Sequence, residues 1–301
     1  MEVPDTHKLE FIQLHHRKAE GTPSPALQAA LKGSDGSMQN EELSLVINTD
    51  LTQNFLVDFI RSELKGAGFS RAIVGVSGGV DSALTCFLTA EALGPENVLA
   101  VFMPYETSAV ESREHAALVI EAAGARKQTI DITPLVTPLF DRFPEEDKIR
   151  RGNVMARMRM IVLYDQSAAF EGLVVGTGNK TEILLGYTTL YGDSACAINP
   201  LGDLYKTQIL QLARAVGVPE LIVSKPPSAD LWEGQTDEDE LGFTYEEVDR
   251  LLLLLIDQGR SAQACVDAGF DEIFVQKVVE RIRRNKFKSL LPPIARLGNR
   301  T

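Results

Sequence analysis

The chain has 301 residues, 44% hydrophobic and 24% charged, which is enough for one large domain or two small ones. Its formal net charge of −12 argues against a nucleic-acid surface as the main partner, because such surfaces are basic. The longest apolar run is too short to cross a bilayer and the first residues lack a signal-peptide layout, so we expect a soluble, cytoplasmic protein without a membrane partner.

The first part of the chain differs from the rest. Residues 20–37 are rich in glycine and proline and poor in apolar side chains, which is typical of a flexible segment. We therefore predict a variable, flexible N-terminal extension over residues 1–42 and a single domain over residues 43–301. The three cysteines are widely separated and form no C-x-x-C pair, so neither a disulfide framework nor a zinc site is indicated.

Strand and helix patterns alternate from residue 50 onward. Asp50 or Thr52 is positioned to cap a first helix, and further helices are predicted over 111–123 and 150–170. A short β-branched run predicts a strand buried on both faces at 72–76, and a second buried strand is predicted at 98–103. Third and fourth strands are predicted at 127–132 and 173–176. This order predicts an α/β fold, a doubly wound, Rossmann-like parallel sheet with helices on both faces and a ligand site beyond the carboxyl ends of the strands.

One strand runs into a glycine turn and a helix start, in the stretch R-A-I-V-G-V-S-G-G-V-D-S (71–82). This geometry directs backbone N–H groups and the positive end of a helix dipole at one point, which predicts a phosphate site. The stretch is neither a G-x-x-x-x-G-K-[ST] loop nor a G-x-G-x-x-G turn. The candidate phosphate-binding residues are Gly75, Val76, Ser77, Gly78, Gly79, Val80, Asp81 and Ser82.

Two carboxylates and a lysine stand at helix starts near the same predicted sheet edge. Asp81 would repel a phosphate unless it holds Mg²⁺, although an ordinary N-cap aspartate gives the same pattern. Glu182 follows a second strand-turn-helix junction, T-G-N-K-T-E (177–182), either as a second magnesium ligand or as a favourable charge at a helix N-terminus. Lys206 opens a helix against the dipole, which a bound phosphate would explain.

Two further stretches each have a functional and a purely structural interpretation. Four arginines crowd the first half of the 150–170 helix, where they either clamp a second anionic ligand or are simply solvated. Residues 224–242 combine proline, glycine and acidic side chains without periodicity, which suggests a lid over the substrates or a plain surface loop. Trp232, the only tryptophan, lies within this stretch.

The S-G-G-V-D-S string resembles the loop of the ATP pyrophosphatases. With G-N-V-M-A-R-M-R-M (152–160), G-T-G-N-K-T-E (176–182), Y-G-D (191–193), P-L-G-D-L-Y-K-T-Q (200–208) and K-P-P-S-A-D-L-W-E-G-Q-T-D-E-D-E-L-G (225–242), the chain is similar to the ammonia-dependent NAD⁺ synthetase family. The resemblance implies an adenine-nucleotide alpha-hydrolase-like fold. It also implies the last step of NAD biosynthesis, in which deamido-NAD⁺, ATP and ammonia give NAD⁺, AMP and pyrophosphate through an acyl-adenylate.

The resemblance also assigns residues. By it, residues 75–82, Thr177, Lys206 and Ser228 contact ATP, Asp81 and Glu182 bind Mg²⁺, and Arg157 and Lys288 contact deamido-NAD⁺. The implied catalytic residues are Asp81, Glu182, Asp193 and Lys206. The sequence departs from the family pattern at Leu190, Ala197 and Phe287, and by the resemblance these departures concern the deamido-NAD⁺ pocket, not the ATP pocket.

The family forms a homodimer partly through the helix at 150–170, so the apolar stripe of that helix is either an interface or an internal core. The N-terminal extension holds no cysteine, so we expect free ammonia or a separate donor protein as the nitrogen source. Two alternative functions remain. The first is another adenylating amidotransferase, such as the synthetase half of GMP synthetase, which would lack the 225–242 segment. The second is a non-catalytic ATP-binding regulator, which would need no metal pair.

Overall fold

A computed structural model describes residues 44–228 and 237–295 of the chain. A parallel, four-stranded sheet lies at its centre, in the order β3-β2-β1-β4. An isolated parallel bridge between Val175 and Ile198 extends the β4 edge. The strands are β1 (Ala72–Gly75), β2 (Val98–Phe102), β3 (Arg126–Thr129) and β4 (Leu173–Val175).

Helices cover both faces of this sheet. Those before and after the strands are α1 (Thr49–Gly66), α2 (Val80–Leu93), α3 (Val110–Ala123), α4 (Thr133–Arg142), α5 (Lys148–Phe170), α6 (Lys180–Leu185), α7 (Lys206–Val216) and α8 (Glu220–Val223). The C-terminal ones are α9 (Asp237–Leu241), α10 (Tyr245–Leu252), α11 (Ala262–Asp267) and α12 (Glu272–Asn285).

Alternating strand side chains divide the core into two layers. Val74 and Ala100 pack in one cluster with α1, α2, α3 and α7, whereas Ile73 and Val101 pack in another with α4 and α5. This is the two-sided burial expected of parallel strands. The predicted doubly wound α/β fold is therefore confirmed.

The chain order explains where a ligand belongs. It moves from β1 to β2 and β3 in one direction and then returns to place β4 on the other side of β1. The neighbouring strands β1 and β4 therefore form the switch point of the sheet, where a crevice opens at the carboxyl ends. The turns after both strands, which begin at Val76 and Gly176, lead directly into α2 and α6.

The C-terminal helices form a third core of their own. Leu185 and Tyr205 join it from the sheet domain, and Val248, Cys265 and Val275 join it from α10, α11 and α12. Three helices lie between Tyr245 and Asn285, and a π-helical turn (Leu253–Asp257) continues α10. The third core thus holds α6 and the start of α7 between the sheet and the C-terminal helices.

Some boundaries differ from the sequence-based prediction. Asn48, not Asp50 or Thr52, caps α1, because its side chain accepts the N–H of Leu51. β3 ends at Thr129 and is largely exposed, since it is an edge strand. The extension over 1–42 and Trp232 lie outside the described residues. Within the described ranges, no helix is both long and apolar enough to span a membrane.

Candidate active site

The turn between β1 and α2 is shaped by a glycine and two serines. Gly78 has φ +88°, and a Cβ on it would lie 2.8 Å from the carbonyl oxygen of Ser112, so only glycine fits without strain. The N–H of Ser77 donates to Ser82 Oγ (3.1 Å), and the N–H of Gly79 donates to Ser77 Oγ (3.3 Å). No side chain caps the N-terminus of α2, which leaves the positive end of this helix available to an anion.

The turn between β4 and α6 is fixed by a capping box. Asn179 Oδ1 accepts the N–H of Glu182 (2.9 Å), and Glu182 Oε2 accepts the N–H of Asn179 (3.4 Å). The buried Asn179 also donates from Nδ2 to Asp81 Oδ1 at 2.8 Å. Asn179 therefore joins the two strand-helix junctions across the switch point.

Lys206 brings the two carboxylates together. Its Nζ lies 2.5 Å from Asp81 Oδ2 and 3.6 Å from Glu182 Oε1. The lysine is 3% exposed and the two carboxylate side chains are 17% exposed each. Its Nζ also lies 5.2 Å from the centre of the Tyr245 ring, a favourable position for a cation.

The charges of this cluster shift each other's protonation. Burial first, and then the negative charge of Asp81, raise the pKa of Glu182 to about 8, against the opposing effect of Lys206. Burial alone would lower the pKa of Lys206, but Asp81 and Glu182 raise it above its ordinary value. Lys206 is therefore charged at neutral pH, and Glu182 is the carboxyl that changes its protonation there.

A buried carboxylate from α10 holds the helix starts that carry Glu182 and Lys206. Asp249 accepts the hydroxyl of Thr181 at 2.6 Å and the N–H of Thr207 at 2.8 Å. The hydroxyl of Thr181 in turn accepts the N–H of Lys206 at 3.0 Å. These contacts fix the starts of α6 and α7 relative to each other.

The carboxylate of Asp237, which lies beside Lys206, is held by two tyrosines. Asp237 accepts the hydroxyls of Tyr187 (3.1 Å) and Tyr245 (3.0 Å) and is 4% exposed. Burial raises the pKa of Asp237, while Lys206 and the two hydroxyls act against that rise. The site thus combines three carboxylates with one deeply buried ammonium group.

These groups line one cavity of about 540 Å³, a volume that suits a small-molecule ligand. Gly78 and Arg157 are the two predicted site residues that do not line it. The predicted site residues that line it are Gly75, Val76, Ser77, Gly79, Val80, Asp81, Ser82, Thr177, Glu182, Asp193, Lys206, Ser228 and Lys288.

The four arginines of α5 separate. Arg157 is exposed and donates to the carbonyl of Leu190 at 3.3 Å, whereas Arg159 lines the cavity and donates to the carbonyl of Met103 at 3.0 Å. Arg150 pairs with Glu146, and Arg151 lies over the ring of Phe140. A clamp of four arginines on one ligand is therefore not what the helix provides.

A loop and the C-terminal tail also line the cavity. Lys288 donates to the carbonyls of Gly186 (2.7 Å) and Thr188 (2.9 Å), and burial lowers its pKa. Asp193 accepts the N–H of Thr189 at 2.7 Å, and burial raises its pKa. Gly186 is required here, because a Cβ on it would lie 2.1 Å from the Cβ of Asn285.

Several groups around the ligand space were not identified from the sequence. Asn179 follows a strand and precedes Glu182 by three residues, so its capping role was legible in the T-G-N-K-T-E string. Of the others, Lys225, Asp237 and Glu240 lie in the 225–242 stretch but were given no role there, and the rest come from distant parts of the chain. The full set of these others is Tyr187, Lys225, Asp237, Glu240, Tyr245, Asp249 and Arg281.

Comparison with known proteins gives a consistent family. The NAD synthase family model matches residues 52–292. NH(3)-dependent NAD(+) synthetase of Trichlorobacter lovleyi is 55% identical over 257 residues, which cover 85% of this chain and 94% of the relative. The enzyme of the same name from Chlorobaculum tepidum is 50% identical over 251 residues, 83% of this chain and 91% of the relative.

Solved structures agree. NMN synthetase from Francisella tularensis has a TM-score of 0.74 at 29% identity and covers 83% of this chain and 99% of its own. NH3-dependent NAD synthetase from Campylobacter jejuni, in complex with a nitrate ion, has a TM-score of 0.71 at 31% identity over 83% and 100% of the two chains. These matches, together with the site at the switch point of the sheet, show that the chain belongs to the NAD synthase family.

Proposed function

We propose that the chain is an ammonia-dependent NAD⁺ synthetase, which uses ATP to convert deamido-NAD⁺ and ammonia into NAD⁺, AMP and pyrophosphate. The observation that carries the proposal is the convergence of Asp81, Glu182 and Lys206 beside the uncapped N-terminus of α2 in one cavity. The relatives with about half of their residues identical carry the same activity in their names.

The chemistry needs what this cluster offers. A nicotinate carboxylate resists attack by ammonia, so its oxygen first attacks the α-phosphorus of ATP and pyrophosphate leaves. Negative charge develops on the leaving pyrophosphate, and the N–H groups at the start of α2 together with the Lys206 ammonium would stabilise it. Ammonia then attacks the acyl carbon and AMP departs, so no side-chain nucleophile is required.

Asp81 and Glu182 fit a magnesium ion. Both present carboxylate oxygens, the ligands that Mg²⁺ prefers, and both approach the same ammonium group. An ion held by two carboxylates would take its other ligands from water and phosphate oxygens, as Mg²⁺ commonly does. When bound, Mg²⁺ would neutralise charge on the phosphates.

The remaining roles follow the cavity. Residues 75–82, Thr177, Lys206 and Ser228 would contact ATP, since all of them except Gly78 line the cavity. Lys288, which also lines the cavity and lies near Asp193, would contact deamido-NAD⁺. Arg157 would contact deamido-NAD⁺ from the exposed surface beside Leu190.

A homodimer through α5 belongs to the same proposal, as does the cytoplasmic location. Ile149, Ile161 and Tyr164 of this helix are 69%, 53% and 42% exposed, and apolar side chains of this size on one helix support an interface with a second copy. The measurement that checks the dimer is the molar mass in solution by light scattering, and a monomer at micromolar concentration would contradict it.

The proposed activity is tested by incubating the purified protein with ATP, Mg²⁺, ammonium and deamido-NAD⁺ and quantifying NAD⁺ and AMP. Equal amounts of NAD⁺ and AMP are expected, while ADP in place of AMP would refute adenylation. Glutamine in place of ammonium is expected to give no NAD⁺. Because one structural relative is named NMN synthetase, nicotinate mononucleotide is included as a competing substrate, and preferential turnover of it would overturn the proposed substrate.

A further inference from the structure

A lysine in the cavity wall carries a charge that no role above uses. Lys225 lines the cavity at the phosphate-loop end, and its Nζ lies 3.3 Å from the hydroxyl of Ser112. Within the described part of the chain, this neutral hydroxyl is its hydrogen-bond partner. Lys206, by contrast, is held between Asp81 and Glu182. Lys225 is therefore the more available cation at this end of the site.

Lys225 stands directly behind the glycine turn. Ser112 belongs to the first turn of α3, and its carbonyl oxygen lies 2.8 Å from where a Cβ of Gly78 would be. The start of α3 therefore backs the turn, and the Lys225 ammonium contacts the same residue, Ser112, through its side-chain hydroxyl. No side chain caps the N-terminus of α3, so a second helix start adds positive potential beside that of α2.

The backbone around Lys225 is anchored on both sides. The N–H of Ser224 donates to the carbonyl of Glu220 at 2.9 Å, and the N–H of Asp237 donates to the carbonyl of Pro227 at 3.0 Å. Pro226 and Pro227 follow Lys225 directly and restrict the chain further. The ammonium group is thus carried on a fixed wall, which favours a binding role over a solvated one.

The acidic side chains around Lys206 favour a further cation for binding phosphates. Asp81, Glu182 and Asp237 lie near Lys206, so one ammonium faces three acidic side chains before any phosphate arrives. A triphosphate adds several negative charges, and the leaving pyrophosphate gains more as its bond to the α-phosphorus breaks. Hydrogen bonds from a charged donor to such oxygens are stronger than those from neutral donors.

We propose that Lys225 is a further catalytic residue of the proposed NAD⁺ synthetase reaction: its ammonium group binds the outer phosphates of ATP and the leaving pyrophosphate. In this step the carboxylate oxygen of the substrate forms a bond to the α-phosphorus, and the bond from that phosphorus to the bridging oxygen breaks. The electron pair stays on the pyrophosphate oxygen. Lys225 donates hydrogen bonds to the pyrophosphate and transfers no proton.

The inference rests on the proposed function, but its test uses the products alone. Binding of inorganic pyrophosphate and of AMP to Lys225→Met is measured by titration calorimetry in magnesium-containing buffer. We expect pyrophosphate affinity to fall about tenfold or more, as for loss of a charged hydrogen bond, and AMP affinity to change less than twofold. In steady state, kcat/KM for ATP is expected to fall by a similar factor.

Three control variants separate charge from structure. Ser112→Ala removes the same hydrogen bond but leaves the ammonium, so pyrophosphate should bind almost as to the wild type. Lys225→Arg keeps the charge and is expected to restore most of the affinity. Lys65→Met removes a lysine at the exposed end of α1, far from the cavity, and should leave both binding and activity unchanged.

The outcomes distinguish this inference from the proposed function. Unchanged pyrophosphate affinity in Lys225→Met would overturn it, and so would an equal loss in Ser112→Ala, which would assign the effect to the contact with α3. A wild-type protein that makes no NAD⁺ but binds pyrophosphate through Lys225 would refute the proposed function alone. A wild-type protein that makes NAD⁺ while Lys225→Met binds pyrophosphate normally would refute the inference alone.

Discussion

Glu182→Gln is expected to stabilise the folded protein at neutral and alkaline pH while abolishing turnover. Glu182 is a carboxylate held where its charge is unfavourable: burial and the neighbouring Asp81 raise its pKa from 4.5 to about 8. Glutamine has nearly the same shape, and its amide oxygen is still able to accept the N–H of Asn179. The substitution therefore removes the charge and leaves the capping geometry.

The sign follows from linkage between protonation and folding. Between pH 4.5 and about 8 the folded carboxyl keeps a proton that the unfolded carboxyl has lost, so the free energy of unfolding falls as pH rises through this window. One pKa unit corresponds to about 1.4 kcal/mol. The shift at Glu182 therefore destabilises the wild type at pH 8 by an amount on the order of 3–5 kcal/mol relative to acidic pH, and Glu182→Gln should remove that slope.

The assay is urea unfolding of the wild type and Glu182→Gln at about pH 5 and about pH 8, without nucleotide or Mg²⁺. Glu247→Gln is the matched control, because Glu247 has the same capping-box position at the exposed start of α10. Hydrogen bonds from Thr244 lower the pKa of Glu247, so its stabilisation is present above pH 4.5 and lost as pH falls. Glu247→Gln should therefore lose stability near neutral pH and keep activity.

If the free energy of unfolding changed with pH in the same way in the wild type and in Glu182→Gln, the destabilisation at high pH would not come from the Glu182 carboxyl. Near-normal turnover in Glu182→Gln would remove the residue from the proposed metal site. An increase in stability together with lost activity would show a charge retained for function at the expense of the folded state.

Three further substitutions test other parts of the site. Asp81→Asn is expected to abolish NAD⁺ formation with an unchanged far-UV circular dichroism spectrum; retained turnover would contradict its proposed metal role. Gly78→Ala is expected to lower the free energy of unfolding by about 1–3 kcal/mol, because of its φ of +88° and the nearby Ser112 carbonyl; equal urea midpoints would contradict this. Arg157→Ala is expected to raise KM for deamido-NAD⁺ severalfold without changing KM for ATP, and unchanged kinetics would place this exposed side chain outside the pocket.

The fold and the phosphate turn were predictable because their signals are local. A short strand, a glycine-containing turn and a helix start lie within residues 72–84, and the same pattern recurs at 173–182. Parallel strands place such junctions at one edge of the sheet. The approach of Asp81 and Glu182 to a common cation therefore follows from topology and short-range pattern together.

The support around the cluster was not predictable in this way. Asp249 holds Thr181 and Thr207, yet in the sequence it is one acidic residue of the α10 segment with no motif around it. Asp237 meets Tyr187 from a helix that is remote in the chain. Which polar side chain turns inward depends on how the C-terminal helices pack, and the sequence pattern describes only which face is apolar.

Helix α4 was missed for a different physical reason. It contains Pro134 in its first turn and Pro138 in its interior. Proline lacks the N–H that an α-helix needs and is strongly disfavoured in helix interiors. Here Val136 and Phe140 are buried against α5 and the sheet, so tertiary packing outweighs the local preference.

The arrangement also explains why a divalent cation belongs in the proposed reaction even though Lys206 already occupies the site. The Lys206 ammonium offsets part of the negative charge of Asp81 and Glu182, and the raised pKa of Glu182 lowers the remainder. A triphosphate that enters the site is repelled by Asp81 and Glu182. Lys206 alone cannot offset the charges of the two carboxyl groups and of the triphosphate together. Added positive charge, from Mg²⁺ on the two carboxylates or from the Lys225 ammonium on the outer phosphates, makes the same pocket favourable to the nucleotide.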